Sequence, residues 1–205
     1  MLQIQTFIVG QLQTNCYLVS DDTSHQALII DPGDDANYIA EKITADNLQP
    51  IAILATHGHF DHILGAFELQ QIFSLPFFIH PKDLFLLKRM RETAEHYLGI
   101  SVIEPSPVKP KEFPKDMKIQ LGEMYVNVLE TPGHTPGGVS FYFQKENICF
   151  TGDTVFAGGA IGDWRHEYSD KQLLLRSVKE IVSLPQETIL YPGHGDQTTV
   201  AEAHI

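Results

Sequence analysis

A chain of 205 residues, 43% hydrophobic and 20% charged, has the composition of a soluble globular protein with one sizeable core, so a single domain over residues 1–205 is expected. Its 26 Asp+Glu against 14 Lys+Arg leave a formal charge of −12, which repels polyphosphate and argues against nucleic acid as the main substrate. No run is apolar for long enough to span a bilayer and Met1–Gly10 lacks a basic segment ahead of an apolar one, so a cytoplasmic chain with no membrane partner is expected, its oligomeric state open.

In chain order, residues 2–9, 16–19 and 27–30 read as strands. Asp31-Pro32-Gly33-Asp34 is a turn, and a helix follows to about residue 46. The apolar run Ile51 to Ala55 reads as a buried strand; a histidine-rich loop comes next, then a helix over 63–73 and a strand over 77–79. The segment 81–97 reads as a helix whose Leu84, Phe85, Leu87 and Met90 form an apolar stripe, with Lys88, Arg89 and Arg91 as solvated surface charges. Pro105, Pro107, Pro110 and Pro114 mark a connection without regular structure. Strands are expected at 118–121, 124–130, 139–144 and 147–151, a helix at about 170–183, a strand at 188–191 and a short final helix. That order suggests an α/β (α+β) protein of two sheets with helices outside them. The two cysteines, Cys16 and Cys149, sit in strand-like apolar contexts and read as buried small hydrophobes.

The strongest chemical signal is Thr56-His57-Gly58-His59-Phe60-Asp61-His62, four potential metal ligands within six residues directly after a buried strand. His57 and His59, two apart, point the same way from an extended backbone, whereas Asp61 and His62 fall where the chain turns into a helix and face a neighbouring ion. A polar turn that happens to be rich in histidine is the bland alternative. Three later strand-end loops, Thr131-Pro132-Gly133-His134, Thr151-Gly152-Asp153-Thr154 and Pro192-Gly193-His194-Gly195, each set one His or Asp among Gly or Pro. Seven candidates, His57, His59, Asp61, His62, His134, Asp153 and His194, fall one short of two closed tetrahedral sites. If Asp153 bridges, His57, His59 and His134 complete one site and Asp61, His62 and His194 the other. A bridging hydroxide then adds a ligand to each ion, the exchangeable position that marks a catalytic site.

These residues resemble the metallo-β-lactamase superfamily, through its His-x-His-x-Asp-His motif at 57–62 and its single His, Asp and His at 134, 153 and 194. The resemblance runs from the Asn15-Cys16-Tyr17 strand to the Gly195 loop and implies a four-layer αββα sandwich with the metals at one edge between the sheets. Ile30-Asp31-Pro32-Gly33, Thr151-Gly152-Asp153-Thr154 and Pro192-Gly193-His194-Gly195 look most like glyoxalase II and its short relatives, which implies hydrolysis of a glutathione thioester, a hydroxyacyl-thiol ester. The sequence departs from that pattern in two places. It stops soon after His194, without the helical C-terminal domain that grips glutathione, and within 161–166 the family's glutathione-binding Lys position is Asp163 and its Tyr position Arg165. Arg165 either grips a substrate carboxylate, with Trp164 and His166 beside it, or is an ordinary surface charge.

The expected chemistry is that of a dinuclear-metal hydrolase of a small-molecule thioester: zinc is the first expectation for the two divalent ions, with iron or manganese as alternatives. Asp61 and Asp153 are the catalytic carboxylates, Asp61 as ligand and proton acceptor. Asp31 either caps its turn or accepts a hydrogen bond from a ligand histidine and fixes its tautomer. The rivals are a mononuclear iron persulfide dioxygenase, a lactonase, nuclease or phosphodiesterase of the same fold, the last two disfavoured by the acidic balance, and a non-catalytic metal-binding scaffold.

Overall fold

Residues 1–99, 109–114 and 116–203 are described by the computed structural model. The first sheet comprises β1 (Leu2–Val9), β2 (Thr14–Asp21), β3 (Gln26–Ile30), β4 (Gln49–Leu54), β5 (Phe77–Phe78) and β6 (Pro110–Lys111) in sequential order. The second runs β12 (Thr198–Thr199), β11 (Ile189–Pro192), β10 (Ile148–Gly152), β9 (Val139–Phe143), β8 (Met124–Glu130) and β7 (Lys118–Leu121). The helices are α1 (Ala36–Ala45), α2 (Phe60–Ile63), α3 (Ala66–Phe73), α4 (Leu84–Leu98) and α5 (Lys171–Val182).

Strand alternation sorts the apolar side chains into three slabs. In β2, Cys16 and Leu18 face α1, α3 and α4, where Ile39, Ile43, Leu69 and Ala94 meet them. Their neighbours Tyr17 and Val19 point the other way, onto Val126, Phe141, Phe143 and Phe150 of the second sheet. Behind that sheet Tyr142, Cys149 and Leu190 pack on Leu174, Val178 and Ile181 of α5. The layers are therefore helix, sheet, sheet, helix, as the resemblance implies. Cys16 and Cys149 lie in different slabs, each buried and free.

Several local expectations are corrected. The helix over 63–73 is two: Gly65 donates its amide to the Pro32 carbonyl (2.9 Å), and this tie to the turn after β3 separates α2 from α3. The Pro-rich connection is not wholly irregular. Pro110–Lys111 pairs in parallel with β5 at the sheet edge, where a strand tolerates the missing proline donor; Pro105 and Pro107 lie outside the described residues. Instead of a final helix there is β12, whose β-branched Thr198 and Thr199 pair antiparallel with Leu190 and Ile189 and cover the edge of β11. No helix among the described residues is long and apolar enough to cross a membrane.

Strand direction places the site. β3 and β4 run parallel, as do β10 and β11, and β8 and β10 are each antiparallel to β9 and so parallel to one another. The loops carrying Asp31, residues 57–62, His134, Asp153 and His194 all leave carboxyl ends of these strands, at the edge where the sheets meet.

Candidate metal centre

Two clusters of ligand atoms form at that edge. His57, His59 and His134 make one, and Asp61, His62 and His194 the other; His57, His62 and Asp153 form a third grouping that joins them. His59 Nδ1 is 3.0 Å from both His57 Nε2 and His134 Nε2. Asp61 Oδ2 is 3.6 Å from His62 Nε2 and 3.4 Å from His194 Nε2. Asp153 lies between the clusters, Oδ1 3.5 Å from His62 Nε2, Oδ2 3.5 Å from His134 Nε2 and 3.9 Å from His194 Nε2. All seven predicted ligand residues thus lie together at this edge.

The outer hydrogen bonds decide which nitrogen of each ring faces inward. His134 Nδ1 is 2.7 Å from the Asp163 carbonyl and His194 Nδ1 is 3.3 Å from the Gln13 carbonyl. A carbonyl only accepts, so both Nδ1 atoms carry hydrogen and both Nε2 lone pairs point inward. His62 Nδ1 donates to Asp31 Oδ2 at 3.0 Å. Thr56 Oγ1 donates to the same Asp31 oxygen at 2.6 Å and accepts from His57 Nδ1 at 3.0 Å. One carboxylate therefore orients two histidines, and it is itself held by the Thr56 amide (2.7 Å). Asp31 is 1% exposed and adopts a left-handed φ of 51°, a conformation that over-determined sites sustain. It is no turn cap: its carboxylate is committed to Thr56 and His62.

Three features show that cations fit here. With their outer nitrogens protonated, His57, His59 and His134 turn inner lone pairs on one another at 3.0 Å, an arrangement that is repulsive until a positive charge sits among them. Among the described residues, His62 Nε2 and Asp153 Oδ1 are buried without a hydrogen-bond partner. Tetrahedral zinc with bonds of about 2.0–2.2 Å sets neighbouring ligand atoms roughly 3.3–3.6 Å apart, which the separations of 3.0 to 3.9 Å bracket. Burial first, then the neighbouring imidazoles, push the ring pKa values of His57 and His59 well down, so their lone pairs stay available. Burial raises Asp61 but His62 and the other imidazoles outweigh it and hold the carboxyl well below the usual range.

The surroundings supply parts that the sequence pattern does not. Tyr168 places its hydroxyl 2.8 Å from His59 Nε2, fixing the ring so that Nδ1 faces inward, and is wedged between Phe85 and the stacked ring of His166. Asp83, fully buried at the start of α4, accepts from the Gly58 amide (2.9 Å), Thr135 Oγ1 (2.7 Å) and the Gly137 amide (2.6 Å), tying the loop of His57 and His59 to that of His134. Burial raises its pKa against these three donors. Asn15 Nδ2 donates to the carbonyls of Pro192 (3.0 Å) and Gly195 (2.8 Å) and so fixes the His194 loop. Gly193 packs so closely on Asp153 and His62 that a Cβ there would overlap both. No short motif announces Tyr168 or Asp83, each far in sequence from the ligands it serves.

Of the candidates for substrate contact only His166 lines the cavity beside the centre, as does Asp163. Arg165 folds back onto Asp163 in a bidentate pair, Nε to Oδ1 and Nη2 to Oδ2, both 2.8 Å, and its side chain is 82% exposed. That pair holds the Asp163 carboxyl well below its usual range. Trp164 carries Lys171 Nζ over its ring at 4.6 Å.

Removing the Tyr168 hydroxyl tests its part. Tyr168→Phe is expected to weaken the ion held by His57, His59 and His134 about 10-fold, in competition with a chromogenic chelator, and to spare the other ion. An equal loss at both sites would count against the assignment.

The model of the metallo-beta-lactamase superfamily matches residues 9–194 of this chain. A probable metallo-hydrolase from Bacillus subtilis is 36% identical, the match covering 94% of this chain and 90% of that protein. A hydroxyacylglutathione hydrolase from Haemophilus influenzae is 32% identical over 98% of this chain and 94% of its own length. Among solved structures, the B3 metallo-beta-lactamase BLEG-1 superposes with a TM-score of 0.88 at 34% identity, covering 98% of this chain and 95% of its own. The di-iron-bound form of TTHA1623 gives 0.83 at 34% identity, covering 96% and 95%.

Proposed function

The chain belongs to the metallo-beta-lactamase superfamily, and we propose that it is a dinuclear-metal hydrolase of a small-molecule thioester. The observation that carries the dinuclear reading is the set of inner lone pairs converging in two clusters with Asp153 between them. The thioester is supported by the hydroxyacylglutathione hydrolase among the relatives, and by the likeness of the loops at Asp31, Asp153 and His194 to glyoxalase II. Zinc suits the imidazole and carboxylate donors; the di-iron form of one structural neighbour keeps iron in view, and manganese accepts the same donors.

In this reading His57, His59 and His134 hold one ion, Asp61, His62 and His194 the second, and Asp153 reaches both. Two bound dications supply an acidified water and polarise a carbonyl oxygen. The chain does the rest. Asp61 lines the cavity, with Oδ2 held by Thr14 Oγ1 at 3.2 Å, placed to take the proton released on attack. Tyr168, half-buried at the cavity wall, has its phenol pushed up to about 12 by burial, so it stays a donor at neutral pH. Its hydroxyl accepts from His59, which leaves its own hydrogen available to a leaving group in the cavity that Tyr168 lines.

Purified without chelator, the protein should hydrolyse S-lactoylglutathione or a simpler hydroxyacyl thioester, and lose that rate to chelator and regain it with zinc or iron. The same preparation is to be assayed with a β-lactam, since BLEG-1 carries that name, with lactone and phosphodiester, and with glutathione persulfide under oxygen. Oxygen uptake without thioester cleavage would replace this reading by the iron dioxygenase. His194→Ala should empty mainly one site.

Proton linkage gives a second check. In the metal-free protein, burial lowers the His62 pKa but the carboxylates of Asp61, Asp153 and Asp31 outweigh it and push it up to about 10. A histidine raised in the folded state stabilises below its unfolded pKa, roughly 6.5, and that contribution is lost as pH rises through the folded value. Metal-free protein should therefore lose urea resistance between about pH 6.5 and 10, while ion affinity rises over the same interval because the ion no longer displaces a proton. Loading zinc at pH 7.5 in weak buffer should release a proton from this site.

A further inference from the structure

Beside the metal centre is a cavity of about 510 Å³ with His59, Asp61 and His134 at its base. One wall is a single face of α4: Leu86, Arg89 and Met90, Thr93, and His96 and Tyr97 follow one another at helical spacing. Arg89, which the charge pattern alone places among solvated surface residues, is the one Lys or Arg among the described residues lining this space. No carboxylate among the described residues lies within ion-pair distance of it, whereas Arg91, two positions on, has Glu95 at 3.1 Å. Across the cavity Asp163 is already matched by the bidentate Arg165, so that loop, where the resembling family places a glutathione-binding lysine, presents no free cation. In a chain of charge −12, a guanidinium that lines this cavity and has no carboxylate partner among the described residues has a substrate as its natural counter-charge.

We propose that Arg89 is the specificity-determining residue of this cavity, selecting thioesters of a single net negative charge that place a carboxylate several bonds from the scissile carbonyl. The inference rests on the thioester reading above and adds to it the charge of the substrate and the helix that recognises it. A carboxylate matches the two-pronged guanidinium. A dianion does not suit this mouth, because Glu92 also lines it and repels a second charge. Leu86 and Met90, with Tyr97 stacked on Phe60 (6.0 Å, 22°), give the substrate stem an apolar wall. Recognition of the anion thus moves from the loop after β10 to the cavity face of α4.

The test uses the metal-loaded protein with lactoyl thioesters of N-acetylcysteine and of N-acetylcysteine amide, which differ only in the carboxylate. Wild type should favour the acid in kcat/KM, through KM. Arg89→Gln should cut the acid-to-amide ratio by about 10- to 100-fold, Arg89→Lys should restore part of it, and Lys88→Gln, outside the cavity, should leave it unaltered. An Arg89→Gln ratio equal to that of wild type overturns the proposal. Calorimetric titration with S-ethyl-N-acetylcysteine and its amide, which cannot be hydrolysed, separates this inference from the thioester reading. If no thioester is turned over, the thioester reading fails while the binding result still decides: a preference for the acid that Arg89→Gln abolishes supports the site. Equal binding of the two, or none by wild type, ends it.

Discussion

Asp153→Ala is expected to cost both ions, and with them roughly 10³-fold or more in rate, about 4 kcal/mol of transition-state stabilisation. The expectation follows from where the two carboxylate oxygens lie. Oδ1 faces His62 Nε2 in one cluster at 3.5 Å and Oδ2 faces His134 Nε2 in the other, also at 3.5 Å, so one side chain serves both. Its loss differs in kind from that of a terminal ligand such as His194, whose removal leaves the His57, His59 and His134 cluster untouched. Ion content by plasma mass spectrometry, read together with the rate, checks this. Two ions per chain and an undiminished rate in Asp153→Ala are incompatible with a shared ligand.

Asp31 gives the second large effect, at a distance from the ions. Asp31→Ala leaves the Thr56 amide, the Thr56 hydroxyl and His62 Nδ1 without their acceptor in a site 1% exposed, so a loss of about 3–5 kcal/mol in urea unfolding is expected. Asp31→Asn is the more informative variant. Asparagine tolerates the left-handed backbone at φ 51° and keeps the volume. Its amide hydrogens, though, face groups that themselves donate. A neutral His62 then answers by accepting at Nδ1 and carrying its hydrogen on Nε2, which blocks the lone pair meant for the ion. The expected outcome is a smaller stability loss than in Asp31→Ala with a 10- to 100-fold loss of metal affinity. Unaltered affinity in Asp31→Asn would show that the tautomer is fixed by something else.

The parts of this site that were legible in sequence are those with a local grammar. Residues 57–62 declare themselves because four ligand types crowd one loop, and His134, Asp153 and His194 because each follows an apolar run and sits among Gly or Pro. The expectation of two ions followed from counting. Asp31 stayed ambiguous because a turn Asp and a histidine-orienting Asp look alike until Thr56 and His62 are brought beside it. Tyr168 and Asp83 gave no signal, since their contacts to His59 and Gly58 arise only from the fold. Arg165, beside the family's glutathione position, turns onto Asp163 two residues away, and Arg89, read as a surface charge, lines the cavity. Charge patterns along a chain do not show which cations already have partners. The fold shows the same divide: long amphipathic strands such as β1 were plain, but the break at Gly65 depends on the Pro32 carbonyl and the pairing of β12 on the edge of β11.

Two cations sharing Asp153 at the sheet edge is the arrangement on which every expected effect above depends. Anomalous X-ray diffraction from crystals of protein purified without chelator addresses it most directly. Two peaks per chain are predicted on either side of Asp153, one against His57, His59 and His134 and the other against Asp61, His62 and His194. A single peak, or peaks away from these side chains in fully active protein, would contradict it.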